Sequence, residues 1–178
     1  MKPVILLTGQ PGVGKTTAIK TIIALLGDKA GGFYTREIRV HSRRAGFEIV
    51  TLDKGTAWLA SRSAEVTFKE EARLGKYRVN LTAINSTAVP ALRRALAVGR
   101  IIVIDEIGPM ENLSALFRQT VLEILNSQAV VVGTIVQRPN AFADRVKTHP
   151  RVQVREITLA NRNQVPAQVV AELSQHWP

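Results

Sequence analysis

The sequence contains no cysteine, and aromatic residues make up only 5% of it. The first absence excludes disulfides and thiolate metal sites. It suits a reducing compartment, and a cytoplasmic location is expected. The second leaves little material for stacking nucleic-acid bases. Acidic residues are also scarce: 14 Asp and Glu stand against 24 Lys and Arg, a formal net charge of +10. Such an excess draws polyanions. Without interleaved aromatics it reads chiefly as contacts to small phosphates plus solvated surface. Nucleic acid is therefore an alternative partner rather than the favoured one. No apolar run approaches the roughly 18 residues that cross a bilayer, so no membrane partner is expected. The opening Met1-Lys2-Pro3-Val4-Ile5-Leu6-Leu7-Thr8 passes straight into a glycine-rich loop. A cleaved secretory signal there would remove part of that loop.

What is present fits one domain over 1–178, 46% hydrophobic and long enough for a full core. A monomer is expected rather than an oligomer. Val4-Ile5-Leu6-Leu7 suits a buried strand. A helix follows from Lys15, with Ile19, Ile22, Ile23 and Leu26 on one face and Gly27 as its stop. From Gly31 to Asn80 the texture becomes β-rich. Phe33–Val40 and Phe47–Leu52 read as an antiparallel hairpin around a turn at 41–46, with short strands near Ala64–Phe68 and Tyr77–Asn80. Helix and strand then alternate: a helix over Thr87–Val98, a strand over Ile101–Ile104, and a helix carrying Leu113, Leu116, Phe117, Val121, Ile124 and Leu125 on one face. A strand over Val130–Ile135, a helix near Ala141–Val146, a strand near Val152–Thr158 and a helix near Val165–Gln175 complete the chain. Buried strands separated by amphipathic helices predict a three-layer α/β fold with a mostly parallel central sheet, interrupted by an antiparallel hairpin insertion over 31–80.

Two constellations carry chemistry. Gly9-Gln10-Pro11-Gly12-Val13-Gly14-Lys15-Thr16 matches the phosphate-loop pattern G-x-x-x-x-G-K-[ST] in full, between a strand and a helix. Its glycines let backbone N–H groups approach phosphate oxygens, and the helix start adds a positive dipole end. Lys15 supplies a point charge to the β- and γ-phosphates, and Thr16 offers a hydroxyl to Mg²⁺. Thr17 follows on the same helix start. The second is Ile101-Ile102-Val103-Ile104-Asp105-Glu106, an apolar strand ending in two carboxylates, with Ile107 and Gly108 next. This is a Walker B pattern, whose strand-end Asp reaches the nucleotide's metal. Asp105 is assigned to Mg²⁺ and Glu106 to orienting or deprotonating water. Glu111 suits either a cap on the next helix or a place behind the metal's ligands. Thr134, at a strand end, is a satisfied strand threonine or a hydroxyl facing the γ-phosphate. Arg39 and Arg138 are candidates for neutralising transition-state charge.

The chain resembles the THEP1 family of nucleoside-triphosphatases, which includes the cancer-related NTPases of animals. The likeness rests on Thr8 to Thr17, Gly32-Phe33-Tyr34-Thr35 with Arg39, Gly46-Phe47, Arg73-Leu74-Gly75-Lys76-Tyr77, Val103 to Glu111, Gly133-Thr134-Ile135 and Asn161-Arg162-Asn163. It departs at Arg36, where an acidic residue is the family's choice, at Leu74, and over Thr82–Thr87. The resemblance implies an ASCE-type, RecA-like P-loop fold in which the strand of Thr134 lies between the two Walker strands. It implies slow hydrolysis of ATP, GTP and other nucleoside triphosphates, with Thr134 facing the phosphates and Asn161 and Arg162 near the base. Two other readings remain beside the hydrolase: a small-molecule kinase whose lid is the Arg36–Arg44 hairpin, and a nucleoside-triphosphate-switched nucleic-acid-binding protein.

Overall fold

The alternation of Val4, Ile5, Leu6 and Leu7 decides the layering. All four are fully buried in β1 (Val4–Thr8). Val4 and Leu6 join one apolar cluster with Phe33, Ile104 and Phe117, whereas Ile5 and Leu7 join another with Ile19, Ile22, Val103 and Val169. A strand apolar on both faces needs cover on both. Helices α1 (Lys15–Leu26) and α6 (Val165–His176) supply one layer. Helices α3 (Val89–Ala97), α4 (Ala115–Asn126) and α5 (Ala141–Lys147) supply the other. The computed structural model describes residues 2–177; Met1 and Pro178, the two ends of the expected domain, lie outside the described residues.

Between the layers runs one nine-stranded sheet in the order β5-β6-β4-β3-β2-β7-β8-β1-β9. Strands β2 (Ala30–Val40), β7 (Ile101–Ile107), β8 (Val131–Ile135), β1 and β9 (Val152–Glu156) pair in parallel. Strands β3 (Arg43–Thr51), β4 (Thr56–Ser61), β6 (Tyr77–Asn80) and β5 (Glu71–Leu74) continue it antiparallel. The expected three-layer α/β architecture is the one observed, and β8 stands between β7 and β1. The β-rich segment is an extension of the same sheet, and its first strand, β2, belongs to both halves.

Three local expectations are corrected. The hairpin turn is only His41-Ser42, both with positive φ (49° and 61°), as a two-residue type I′ turn requires. Arg43 to Gly46, polar enough to read as loop, lie in β3 because Arg44 pairs across to Arg39 and Gly46 to Ile38. No strand forms over Ala64–Phe68; the strands are Thr56–Ser61 and Glu71–Leu74. The helix expected from Thr87 begins at Leu81, where the Asn80 side chain caps α2 (Leu81–Ala83). A π-helical turn over Ile84–Ala88 links it to α3. Pro90, in the first turn of α3, cannot donate to the carbonyl four residues back and crowds it, so a wider turn there is the expected accommodation.

At the amino edge of the parallel strands lies a buried cation that the sequence patterns did not reveal. Arg151 is 7% exposed, and its guanidinium donates only to backbone carbonyls. Those are Lys2 at 3.0 Å, Ile124 at 3.3 Å, Leu125 at 2.7 Å, and the carbonyls of Ser127 and Ala129. It ties the end of α4 to the starts of β1 and β8, and a cation there also complements the helix dipole. Arg151→Ala should lower the free energy of unfolding by about 3–5 kcal/mol, the scale for breaking a buried charged network. Chemical denaturation checks this, and a loss within ~0.5 kcal/mol would show the clamp to be idle.

Candidate active site

The site forms at the opposite, carboxyl edge. Gly9 to Thr16 connect β1 to α1. Val13, 8% exposed, anchors this loop in the α1–α6 core, while Gln10, Pro11, Gly12 and Thr17 face outward. Gly14 caps α1 with φ 108°, a conformation strained for any residue with a Cβ. Lys15 arches over the loop, and its Nζ donates to the carbonyls of Gly9 at 2.8 Å and Gln10 at 3.1 Å.

Asp105 is 2% exposed. Burial raises its pKa, opposed by the hydrogen bond from the Thr134 hydroxyl and by the nearby Thr16 hydroxyl, Thr35 backbone N–H and charge of Lys15. Thr134 Oγ1 donates to Asp105 Oδ1 at 2.5 Å. Register explains the meeting: Gly133 pairs with Ile104, which sets Thr134 level with Asp105. Asp105 Oδ2 is buried without a hydrogen-bond partner. An unpartnered carboxylate oxygen near a threonine hydroxyl is a hard-oxygen donor set, and it fits Mg²⁺. Thr134 is thus a satisfied strand threonine whose partner is the aspartate itself.

Strict alternation would turn Glu106 away from Asp105. Instead its side chain folds over Gly108, where an added Cβ would lie 2.3 Å from Glu106 Oε1 and 2.6 Å from its Cγ. Glycine at 108 is what leaves room for this carboxylate. Burial and the neighbouring Asp105 push Glu106 up to about 7, with Lys15 opposing. Glu111 is 3% exposed, and burial plus the charge of Glu106 hold its carboxyl well above the usual range. Ser114, not Glu111, caps α4, its Oγ accepting from Phe117 N at 3.0 Å. Glu111 is therefore not that helix's cap, and it is close enough to Glu106 and Asp105 to feel both charges. Ile101 to Ile104 and Ile107 are buried and only support the edge.

The two candidate arginines separate. Arg39 lies near the tip of the β2–β3 hairpin, paired with Glu37 at 2.8 Å and donating to Ser42 O at 3.2 Å. It stands four extended residues beyond Thr35, roughly 13 Å along the strand. Arg138 is exposed on the loop after β8. At the end of β9, Asn161 builds its own turn, accepting from Thr158 N and donating to Glu156 O, each at 2.9 Å. Arg162 reaches the loop itself: its Nη1 donates to Val13 O at 3.5 Å, and its Cδ borders Gly14. Gly14, Thr17, Thr21, Arg162 and Asn163 line a depression of about 370 Å³ beside α1. Thr35 is the contributor whose role sequence reasoning missed. It stands in the Gly-Phe-Tyr-Thr block, but only the pairing of β2 with β7 brings its N–H near Asp105.

A phosphate loop after β1, a buried aspartate near the end of β7 and an intervening β8 define a P-loop NTPase with the ASCE strand arrangement. Comparison with known proteins narrows this. The sequence profile of the family described as NTPase matches residues 4–170. Over 166 residues the chain is 42% identical to nucleoside-triphosphatase THEP1 of Thermotoga petrophila, covering 93% of this chain and 90% of that protein. It is 39% identical to the human cancer-related nucleoside-triphosphatase, covering 93% and 94%. The crystal structure of THEP1 from Aquifex aeolicus superposes with a TM-score of 0.85 at 35% identity, covering 97% of this chain and 99% of that one. The solution structure of the human cancer-related nucleoside triphosphatase gives 0.82 at 36% identity, covering 98% of each chain. The chain belongs to the THEP1 family of NTPases.

Thr134→Val keeps the shape of the side chain and removes the donor to Asp105. It should destabilise the metal-free protein by about 1–3 kcal/mol, the cost of a buried acceptor left unpaired. Thr134→Ser, which keeps the hydroxyl, should recover most of that loss in a thermal melt. Equal stability of the valine variant and the unaltered protein would disprove the pairing.

Proposed function

We propose that this chain is a Mg²⁺-dependent nucleoside-triphosphate phosphohydrolase of low base selectivity, producing nucleoside diphosphate and phosphate. The carrying observation is Glu106, held over Gly108 directly after the buried, half-satisfied Asp105. The loop N–H groups and Lys15 would grip the phosphates. Asp105 and Thr16 would hold Mg²⁺, which when bound neutralises charge on the β- and γ-phosphates. Glu106 would orient the attacking water and accept its proton. Phosphoryl transfer asks mainly for positioning and electrostatics, so these few groups can suffice.

Low base selectivity is supported by the depression beside α1. Asn161 uses its amide on its own turn, leaving few directional groups toward a base. The kinase reading needs a free arginine lid. In the hairpin, Arg36 pairs with Glu48, and Arg39 and Arg44 both pair with Glu37, so those charges are engaged within the arm.

Glu106→Gln should keep nucleotide binding while hydrolysis falls by about 10²–10⁴-fold, the usual loss of a general base. Gly108→Ala should reproduce that phenotype more weakly by displacing Glu106. Lys15→Ala should weaken nucleotide binding itself. Phosphate release and a binding titration distinguish the three, and an unimpaired rate in Glu106→Gln would overturn the assignment.

A further inference from the structure

We propose that Arg138 supplies the transition-state cation in cis; this rests on the hydrolase reading above. Three arginines lie toward the carboxyl end of the parallel strands, on three different loops or strands: Arg162, Arg138 and, farther out, Arg39. Arg39 is taken by Glu37 at the hairpin tip. Arg162 lies against Val13 and Gly14, beside the start of α1 and away from the carboxylates. Arg138 is exposed and, among the described residues, makes no ion pair and no side-chain hydrogen bond.

Its mounting is rigid and central. Strand β8 stands between the strand of the phosphate loop and the strand of Asp105. Just past Thr134 the chain is pinned to both sides. The Thr8 hydroxyl donates to Ile135 O at 3.1 Å, and Val136 N donates to Ile107 O at 3.2 Å. Gln137 then donates to Glu156 at 3.3 Å. On the far side Asn140 caps α5 and accepts from Asn112 at 3.0 Å. Pro139 restricts Arg138 to extended backbone. The free guanidinium is thus carried on a short stalk past the carboxyl end of the strand that separates the phosphate loop from Asp105. A γ-phosphate gripped by Lys15 and facing Glu106 would lie at that same edge, within the reach we assign to this side chain. Charge that develops on the γ-oxygens as the bond to the leaving phosphate breaks is what a fixed guanidinium stabilises.

The test is steady-state phosphate release from MgATP by the full chain, with Arg138→Ala and Arg138→Lys. Arg138→Ala should lower kcat roughly 10²–10³-fold, the scale for losing one preorganised donor. KM and ADP affinity should stay within about threefold, because the group acts on charge absent from the ground state. The trapped complex with ADP and aluminium fluoride should be lost, and added guanidinium salt should restore part of the rate. A kcat within about threefold of the unaltered protein, or a loss confined to KM, would overturn the assignment. Mixing Arg138→Ala with Lys15→Ala separates cis from trans: recovered activity would place the arginine in a second copy and refute the cis reading. If the unaltered chain releases no phosphate, the hydrolase reading fails and this inference with it. If that chain is active and Arg138→Ala is unimpaired, only this inference fails.

Discussion

A carboxylate kept out of water organises this molecule. Burial disfavours the charged form of Asp105, so the fold must surround it with groups that oppose that penalty. They arrive from every neighbour: Thr134 from β8, Thr35 from β2, and Thr16 with Lys15 from the start of α1. None is close to Asp105 in sequence. The strand order β2-β7-β8-β1 is what brings them together, and the pairing of Ile104 with both Phe33 and Gly133 sets them at one level. One oxygen remains unpartnered, and that remainder is what fits a metal ion.

The two edges of the parallel strands solve opposite electrostatic problems. At the amino edge a buried cation, Arg151, gathers carbonyls from α4 and the strand starts. At the carboxyl edge buried anions are gathered under hydroxyls, one backbone N–H and a lysine. Each edge thus satisfies backbone or side-chain groups that the apolar sheet between them cannot. The arm formed by β2 and β3 continues past the carboxyl edge, where Arg36 pairs with Glu48 and Arg39 and Arg44 pair with Glu37. Much of the positive excess in that segment is therefore internally answered.

The apolar periodicity made the layers legible, because Val4 to Leu7 and Ile101 to Ile104 are buried on both faces and can belong only to a covered sheet. The phosphate loop and the Asp105-Glu106 pair were legible because their chemistry is packed into short, contiguous patterns. What stayed hidden depends on long-range pairing. Thr134 looked like either a strand threonine or a phosphate contact, and only register shows its hydroxyl on Asp105. Arg151 looked like any surface arginine, since a cation satisfied by carbonyls leaves no acidic partner to find. The hairpin turn reads too long from sequence because arginines and glycine resemble loop. The early start of the helix at Leu81 was hidden by polar residues that a cap and a π turn accommodate. Gly108 reads in sequence as part of a motif, whereas the structure shows the space it leaves for Glu106.

The central claim is that this edge uses a metal held by Asp105 and Thr16 to hydrolyse nucleoside triphosphates with little regard for the base. Phosphate release measured across ATP, GTP, CTP and UTP, each with Mg²⁺ and with the metal chelated, tests it most directly. The account predicts release from all four at rates within about tenfold of one another, a spread of ~1.4 kcal/mol in barrier, and none after chelation. Release that persists without metal, or that is confined to one nucleotide, would contradict it.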